Sequence, residues 1–287
     1  MKKSRTAIKW FGGKFRMVNK IVPLISHIPH NFYIEPFGGG AAILLNKTPS
    51  PAELYNDIDG GLVNFFRVMR DPSLFGEFHR LCTLTPFSRE EHQHAVDTWE
   101  QEEDPVIRAH KWFIVARQSF GGHFGHSWSV SRTVNDKGHL DLVTWFNAIE
   151  GLPDVAKRLL NVQMENKDYG YIIDHYDTEG SLFYCDPPYV PSERSSTKYD
   201  NELSLEDHER LLEKLLKVKG RVVLSGYPNT LYDKILPENG WKIIDFNVKA
   251  VAFSNTSQKE KGQKMAANFN AVERIWIDPT TSSELMI

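Results

Sequence analysis

The chain has 287 residues, of which 41% are hydrophobic and 25% charged, and this composition is ordinary for one large globular domain or two modest ones. Its net charge of −3 excludes a protein that coats nucleic acid through bulk positive charge, so any basic footprint must be local. The two cysteines, Cys82 and Cys185, exclude a disulfide framework and a cysteine-rich zinc site and suit a reducing compartment.

Strands alternate with helices along most of the chain. The segment FYIEP (32–36) has strand composition and runs into FGGGAAILLN, a glycine turn followed by helix formers. The strand AELYND (52–57) follows at the spacing of a βαβ unit, which predicts a parallel sheet. Five more strands are predicted: NVQMEN (161–166), SLFYC (181–185), GRVVLSGY (220–227), WKIIDF (241–246) and VERIWI (272–277).

The best-defined helix precedes the strand at 220. Ser204 is the predicted N-cap, with Asp207 three positions later. Leucines recur at helical spacing up to Gly220, so the apolar face should pack on the sheet. Between about residues 70 and 160 the alternation gives way to a helix-rich, aromatic-rich stretch, which we interpret as an inserted second domain or lobe.

The segment EPFGGGA (35–41) lies where open α/β sheets bind ligands, at the carboxyl end of a strand. It is a poor dinucleotide fingerprint, because Ile43 stands where a third glycine is needed, and it is not a phosphate loop. Asp57 ends the second strand, where a carboxylate can accept hydrogen bonds from ribose hydroxyls. Alternatively, the glycines form only a turn and Asp57 caps a helix. Asp168 and Tyr169 follow the third strand and should border the same crevice.

The segment DPPY (186–189) directly follows a buried strand. Proline has no N–H for the sheet ladder, so the strand must end at Asp186. The alternative to a functional role is a turn that only terminates the strand. Functionally, Asp186 and the Pro187 carbonyl can each accept one hydrogen of a ring-bound amino group. Pro188 adds stiffness, and Tyr189 offers a flat face for stacking.

In this order and spacing, KWFGGK (9–14), EPFGGGA (35–41), NDID (56–59) and YCDPPY (184–189) resemble the Dam-like DNA adenine-N6 methyltransferases. The resemblance covers the first 60 residues and most of 161–277. It implies an α/β fold with a doubly wound, Rossmann-like methyltransferase sheet and an inserted, mainly helical target-recognition lobe. The catalytic domain would comprise residues 1–69 and 161–287, and the lobe residues 70–160.

The resemblance also implies S-adenosylmethionine as the cofactor. It implies DNA as the partner, and we expect this DNA to be double-stranded. The implied cofactor-binding residues are Trp10, Gly12, Lys14, Glu35, Pro36, Phe37, Gly38, Gly40, Asp57, Asp168, Tyr169 and Asp186. The implied catalytic residues are Asp186, Pro187, Pro188 and Tyr189. Lys9 is similar to a lysine that contacts DNA in the family.

DNA contacts are also expected in the segment 105–140, where basic residues interleave with aromatics and glycine. The candidates are Arg117, Ser119, His123, His126 and Arg132. A solvated basic face is the alternative. RQSFGGHFGHSW departs from the asparagine-arginine-tyrosine-glycine stretch associated with GATC-specific members, which leaves the target sequence open. The pairs His123/His126 and His92/His94 lack further ligands at a suggestive spacing, so no metal is predicted.

Several alternatives share the same fold. The closest alternative is a methyltransferase that acts on the N4 amino group of cytosine, because the same hydrogen-bond acceptors serve both rings. Methyltransferases that act on adenine in RNA or on glutamine amides are further alternatives, although those enzymes favour asparagine in place of Asp186. A catalytically silent DNA-binding regulator would belong to a different class. No apolar run approaches the roughly 20 residues of a membrane span, so we expect a cytoplasmic protein of a bacterial or phage-infected cell. A monomer or weak dimer is expected from the family.

Overall fold

A computed structural model gives the fold, which is built on one seven-stranded sheet and a separate two-stranded ribbon. It describes residues 6–10, 12–130, 133–135, 138–190, 202–251 and 268–285. The strands are β1 (Phe32–Glu35), β2 (Ala52–Asn56), β3 (Val134–Asn135), β4 (Gly138–His139), β5 (Val162–Glu165), β6 (Ser181–Cys185), β7 (Arg221–Gly226), β8 (Lys242–Val251) and β9 (Asn268–Ile277).

Helices connect these strands. They are α1 (Val18–Ser26), α2 (Ala42–Asn46), α3 (Gly60–Arg70), α4 (Pro72–Leu84), α5 (Arg89–Thr98), α6 (Pro105–Gln118), α7 (Leu140–Leu159), α8 (Tyr169–Tyr176), α9 (Leu205–Leu215), α10 (Thr230–Glu238) and α11 (Pro279–Glu284). Short 3-10 turns cover Lys14–Met17 and Phe120–Gly122. Within the ranges above, no helix combines the length and apolarity that a membrane crossing requires.

The order of strands across the sheet is β5-β2-β1-β6-β7-β9-β8. The five strands from β5 to β7 are parallel, and β9 runs antiparallel to both β7 and β8. From β1 the chain winds outward to β2 and β5, and then returns to β6 on the other side of β1. The reversal places a topological switch point between β1 and β6, where such sheets bind ligands beyond the strands' carboxyl ends.

Both faces of the sheet are covered by apolar cores. The adjacent residues Tyr33 and Ile34 of β1 point to opposite sides, as strand geometry requires, and belong to different cores. One core collects side chains of α1, α2, α3, α6 and α7, and the other collects those of α8, α9 and α10. The predicted doubly wound α/β sheet is therefore confirmed.

The predicted helix after Ser204 is present and begins with a capping box, in which Ser204 and Asp207 each bond the other's backbone N–H. The leucines in its middle, such as Leu211 and Leu215, are buried in the second core. Leu205 and Leu216 at its ends are 53% and 36% exposed, because the apolar face extends past the contact with the sheet.

The last two strands are longer than predicted, at ten residues each. They pair with each other over their whole length, whereas β9 pairs with β7 only over residues 274–277. The hairpin therefore projects beyond β7. Helices α4 to α7 fall within residues 70–160, and α6 packs on α3 through the first core. The division into a catalytic domain and a recognition lobe at these positions stays a prediction.

Candidate active site

The glycine segment after β1 folds tightly against β2. A methyl group at Gly38 would overlap the Tyr55 ring, and Gly39 has a φ of +46°. The Tyr55 hydroxyl donates a hydrogen bond to the Gly39 carbonyl at 2.8 Å. The buried Asn56 amide donates to the Pro36 carbonyl at 2.8 Å. These bonds hold bare backbone at the end of β1, where a ligand can approach it closely.

Asp57 lies just past the end of β2 with both carboxylate oxygens engaged. Oδ2 accepts from the Gly39 N–H at 2.8 Å, and Oδ1 accepts from the Asp59 N–H at 2.9 Å. Burial raises the pKa of Asp57 to about 6, although the N–H groups that it accepts from act in the opposite direction. Asp59, not Asp57, caps α3, so the alternative in which Asp57 serves as a helix cap is wrong.

Glu35 is a second buried carboxyl group, at the end of β1. It is 2% exposed, and the Tyr33 hydroxyl donates to its Oε1 at 2.7 Å. Burial raises the pKa of Glu35 to about 8, and the negative charge of Asp186 adds to this, while the Tyr33 hydrogen bond offsets part of it. Glu35 is therefore mostly protonated at neutral pH and can donate as well as accept a hydrogen bond.

Asp168 and Tyr169 follow β5, where Asp168 caps α8 through the Gly170 N–H at 2.9 Å. The Tyr169 ring lies 5.1 Å from the Phe37 ring, centroid to centroid. Its hydroxyl accepts from Arg210 Nε and donates to the Asp207 carbonyl, both at 2.9 Å. The two rings form a fixed apolar wall beside the Asp168 carboxylate.

The Asp186 carboxylate stands at the end of β6 with its two oxygens in different surroundings. Oδ1 accepts from Lys14 Nζ at 2.7 Å and from Ser225 Oγ at 2.9 Å. Since the Ser225 proton goes to Asp186, the Tyr184 hydroxyl, 3.0 Å from Ser225 Oγ, is the donor in that pair. No residue of the described ranges hydrogen bonds to Oδ2.

Lys14 is the centre of a buried ionic cluster. Its ammonium contacts Asp186 Oδ1 and Glu273 Oε1 at 2.7 Å each and donates to the Tyr189 hydroxyl at 2.8 Å. Burial disfavours the charge, but Asp186, Tyr189 and Glu273 outweigh it and hold the pKa of Lys14 well above its usual value. The ammonium is therefore fully charged, and these three contacts match its three N–H donors.

These groups surround one cavity of about 350 Å³ at the switch point, within the range of small-molecule sites. Every predicted cofactor-binding and catalytic residue lines it: Trp10, Gly12, Lys14, Glu35, Pro36, Phe37, Gly38, Gly40, Asp57, Asp168, Tyr169, Asp186, Pro187, Pro188 and Tyr189. The structure thus brings together motifs from five parts of the chain.

The predicted DNA contacts divide into two groups. His123 and His126 line the cavity, with ring centroids 5.2 Å apart, and Lys9 packs beside the same loop, its Cβ close to Gly122. Arg117 and Ser119 are instead buried, so the structure does not bring these two side chains to the surface.

The burial of Arg117 and Ser119 has a local cause. They stand at the end of α6, where Arg117 Nη2 donates to the Thr144 carbonyl at 2.9 Å and Ser119 Oγ lies 2.9 Å from His92 Nε2. The end of α6 is therefore tied to α7 and α5. Arg132 lies outside the described residues.

Sequence reasoning missed three residues that hold the site: Ser225, Tyr184 and Glu273. A signal existed for Glu273, because a glutamate inside the apolar strand segment VERIWI must be paired if it is buried. Its partner, Lys14, lies near the other end of the chain, and no local pattern could identify it. Tyr184 and Ser225 gave no signal, since both fit ordinary strands.

Comparison with known proteins adds independent information. A family model described as D12 class N6 adenine-specific DNA methyltransferase matches residues 10–249. The chain is 26% identical over 245 residues to a DNA adenine methylase of Vibrio cholerae, covering 82% of this chain and 86% of that protein. It is 26% identical over 278 residues to the type II methyltransferase M1.LlaDCHI of Lactococcus lactis subsp. cremoris, covering 88% and 89%. It is 27% identical over 241 residues to a DNA N-6-adenine-methyltransferase of Escherichia phage P1, covering 78% of this chain but 30% of that protein.

Proposed function

Because the chain belongs to the D12 class of N6 adenine-specific DNA methyltransferases, we propose that the cavity binds S-adenosylmethionine and admits an adenine flipped out of DNA. The protein is an enzyme that methylates the N6 amino group of adenine in DNA. The observation that carries the proposal is that Asp186, at the end of β6, lines the same cavity as the glycine segment at the end of β1.

The residues present fit this cofactor. Asp57 offers a carboxylate to the ribose hydroxyls, held in place by the Gly39 and Asp59 N–H groups. Asp168 and the Phe37–Tyr169 wall suit an adenine ring, with a polar edge and an apolar face. Gly38 lines the cavity with backbone alone, and its missing side chain makes room for the Tyr55 ring, which packs behind it. Trp10, Gly12 and Lys14 complete the wall.

S-adenosylmethionine, when bound, supplies an electrophilic methyl group. The chain's own task is to hold the adenine nitrogen in position, because rate in such a transfer depends mainly on distance and alignment. Asp186 Oδ2 accepts one hydrogen of the amino group and the Pro187 carbonyl accepts the other, which draws the nitrogen lone pair out of conjugation. The methylated amine is strongly acidic, so its proton leaves to Asp186 or to water without a tuned base.

The target adenine must leave the DNA stack, because a paired base cannot reach a pocket at the edge of the sheet. Unpairing and unstacking cost a few kcal/mol, and stacking of the base on Tyr189 offsets part of this cost. The ring is already fixed, since its hydroxyl is bonded to Lys14 and its face packs on Tyr227 with centroids 4.3 Å apart.

We further propose that residues 70–160 form the target-recognition lobe. The loop after α6 supports this, because Gly122, His123, Phe124 and His126 form one wall of the cavity. A lobe that borders the cavity can deliver a flipped base into it. Lys9, His123 and His126 are the proposed DNA contacts, while Arg117 and Ser119 hold the loop from behind. We propose that the enzyme acts on duplex DNA as a monomer, in the cytoplasm where DNA and cofactor meet.

The experiment that tests this function uses the purified protein, unmethylated genomic DNA and S-adenosylmethionine. The DNA is digested to nucleosides, and N6-methyladenine and N4-methylcytosine are quantified by mass spectrometry. N6-methyladenine alone is the expected result. N4-methylcytosine would overturn the proposed base, and the absence of both products with the cofactor bound would point to RNA or to a regulatory role.

The matched variants are Asp186→Ala and Glu209→Ala. The first removes the proposed grip on the amino group, and nearly all methylation should be lost while folding and DNA binding persist. Glu209 lies exposed on α9, outside the proposed lobe and the cavity lining, so its replacement should leave the rate unchanged. Normal methylation by Asp186→Ala would remove this residue from its proposed role.

A further inference from the structure

Glu273 is a buried carboxylate on an otherwise apolar strand face. It is 4% exposed and shares its side of β9 with Ile275 and Ile277, both fully buried. Burying a carboxylate is costly unless it is paired. Its partner is Lys14, at 2.7 Å, and the Tyr189 hydroxyl donates to the same Oε1 at 3.3 Å.

The position of Glu273 follows from the projecting hairpin. The last pair between β7 and β9 joins Gly226 to Arg274, so Glu273 is the first residue of β9 beyond the end of β7. There it faces the segment that follows β6, which carries Asp186 and Tyr189. The antiparallel partner of Glu273 on β8 is Phe246, which keeps this part of the hairpin paired.

Through Lys14, Glu273 helps to hold Asp186 by its Oδ1 atom, which also accepts from Ser225 Oγ. The ammonium contacts Asp186 Oδ1, Glu273 Oε1 and the Tyr189 hydroxyl, and this use of all three donors fixes its place. Two carboxylates share one ammonium, so Asp186 keeps part of its negative charge and remains a strong hydrogen-bond acceptor. Without Glu273, the ammonium would lose one of its three acceptors, and the contact that holds Asp186 Oδ1 would be less constrained.

Glu273 also limits the Tyr189 ring. The phenol accepts from Lys14 and donates to Glu273, so its hydroxyl is held on both sides. The ring packs on Tyr227, which leaves little freedom for rotation. Glu273 of β9 therefore helps to fix the position of the Tyr189 ring on which a base would stack.

We propose that Glu273 is a positioning residue for methyl transfer, which holds Asp186 and the Tyr189 ring, through Lys14 and the phenol hydroxyl, in the arrangement that receives the adenine. This inference rests on the proposed function of the cavity. It adds a residue from the C-terminal hairpin to a site otherwise built at the switch point.

The test compares Glu273→Gln, which removes the charge and keeps the shape, with Glu273→Asp, which keeps the charge and shortens the side chain. The measurement is the single-turnover rate of N6-methyladenine formation on unmethylated genomic DNA, with the Kd of S-adenosylmethionine and of DNA measured separately. A misplacement of about 1 Å can cost on the order of a hundredfold in rate. We expect Glu273→Gln to lose roughly ten- to a hundredfold in rate, with both Kd values within about threefold of wild type.

The matched control is Asp245→Asn. Asp245 stands on the same hairpin and pairs with Arg274, next to Glu273, at 2.6 Å, whereas Glu273 pairs with Lys14. If the role of Glu273 were purely structural, Glu273→Gln would lose activity only in proportion to its loss of thermal stability. Asp245→Asn would then follow the same relation between activity and thermal stability. We expect only the Glu273 variants to lose rate.

A double-mutant cycle with Lys14→Met tests the route of the effect. If Glu273 acts through Lys14, the double variant should be no slower than Lys14→Met alone, because the interaction is already broken. Losses that multiply, a Glu273→Gln rate within twofold of wild type, or a cofactor Kd that rises as much as the rate falls would each overturn the proposal. If the wild type forms no N6-methyladenine, the proposed function fails instead, so the two failures are distinct.

Discussion

The Tyr189 side chain combines two tasks that a single substitution can separate. Its ring offers the stacking face, and its hydroxyl bonds to Lys14 and Glu273. Tyr189→Phe keeps the ring and leaves Lys14 with its two carboxylate partners, so we expect a loss of about tenfold or less in the methylation rate. Tyr189→Ala removes the stacking face, which is worth about 1–3 kcal/mol per base, and should lose roughly a hundredfold.

Methylation rates of the two Tyr189 variants, at saturating cofactor, check this prediction. DNA binding, measured in parallel, separates stacking from general affinity. Equal losses in the two variants would show that the hydroxyl, and not the ring, carries the function of Tyr189.

If Asp57 binds the ribose as proposed, cofactor binding should depend on pH. The pKa of Asp57 is raised to about 6 by burial, so the native protein holds its proton at a pH where the unfolded chain has released it. The contribution of Asp57 to the free energy of unfolding therefore decreases as the pH rises through the range in which Asp57 titrates. In the proposed site, ribose hydroxyls donate hydrogen bonds to the ionised form of Asp57. The affinity for the cofactor should therefore rise with pH up to about pH 6. Below that pH it should fall by up to about tenfold for each pH unit.

Calorimetric titration of the protein with S-adenosylmethionine from about pH 5 to about pH 8 measures this dependence. Asp57→Asn should abolish the step near pH 6. Glu35→Gln should keep it, since the pKa of Glu35 is about 8 and its own titration lies higher. An affinity that is constant with pH in the wild type, or a step that survives in Asp57→Asn, would contradict the assignment of Asp57 as the ribose partner.

At the scale of elements, α7 is joined to the sheet by a buried ion pair. Arg158 near its end contacts both Glu53 oxygens, at 2.6 and 2.8 Å, and donates to the Leu44 carbonyl at 2.8 Å. Lys47 supplies the other cation for Glu53, at 2.6 Å. The pKa of Glu53 is lowered because these hydrogen bonds outweigh the effect of burial. The pair fixes the end of α7, the helix that leads to β5.

Removing Arg158 should therefore destabilise the whole fold. Arg158→Met leaves the buried Glu53 carboxylate with Lys47 and the Ser50 N–H as partners of Oε1, and breaking a buried ion pair costs about 3–5 kcal/mol. Arg80→Met removes the exposed pair with Glu77 and should cost no more than about 1 kcal/mol. Urea unfolding of the two variants checks the difference, and equal free energies of unfolding would show that Arg158 does not clamp α7.

The order of elements was predictable to the extent that it depends on local pattern. The strand SLFYC matches β6 residue for residue, and the capping box at Ser204 is present as predicted. The extended lengths of β8 and β9 were not predictable, because they come from mutual pairing beyond β7. The burial of Arg117 was also unpredictable, since it depends on α7, which packs over the end of α6.

At the scale of the whole molecule, the site depends on contacts between distant parts of the chain. The motifs EPFGGGA and DPPY could be assigned to one crevice, because the carboxyl ends of parallel strands meet at one edge of a sheet, whereas KWFGGK could be added only through the family resemblance. The position of β9 between β7 and β8 has no such local signal. Glu273 could therefore be seen as an anomaly in its strand, but its contact with Lys14 required the complete topology.

Since the cavity draws residues from β1 and β6, from the segments that follow β1, β2, β5 and β6, and from the N-terminal segment, a ligand bound there should stabilise the molecule as a unit. A ligand that binds only the folded state at 100 times its Kd adds about 2.7 kcal/mol to the free energy of unfolding. For a chain of this length that corresponds to a rise in Tm of roughly 4 °C.

S-adenosylmethionine should produce this rise in a thermal melt, and ATP, which lacks the methionine part, should not. Asp57→Ala should lose most of this rise in Tm. Asp154→Ala should keep it, because Asp154 lies exposed on α7. A melt that S-adenosylmethionine leaves unchanged at millimolar concentration would mean that the cavity does not hold this cofactor.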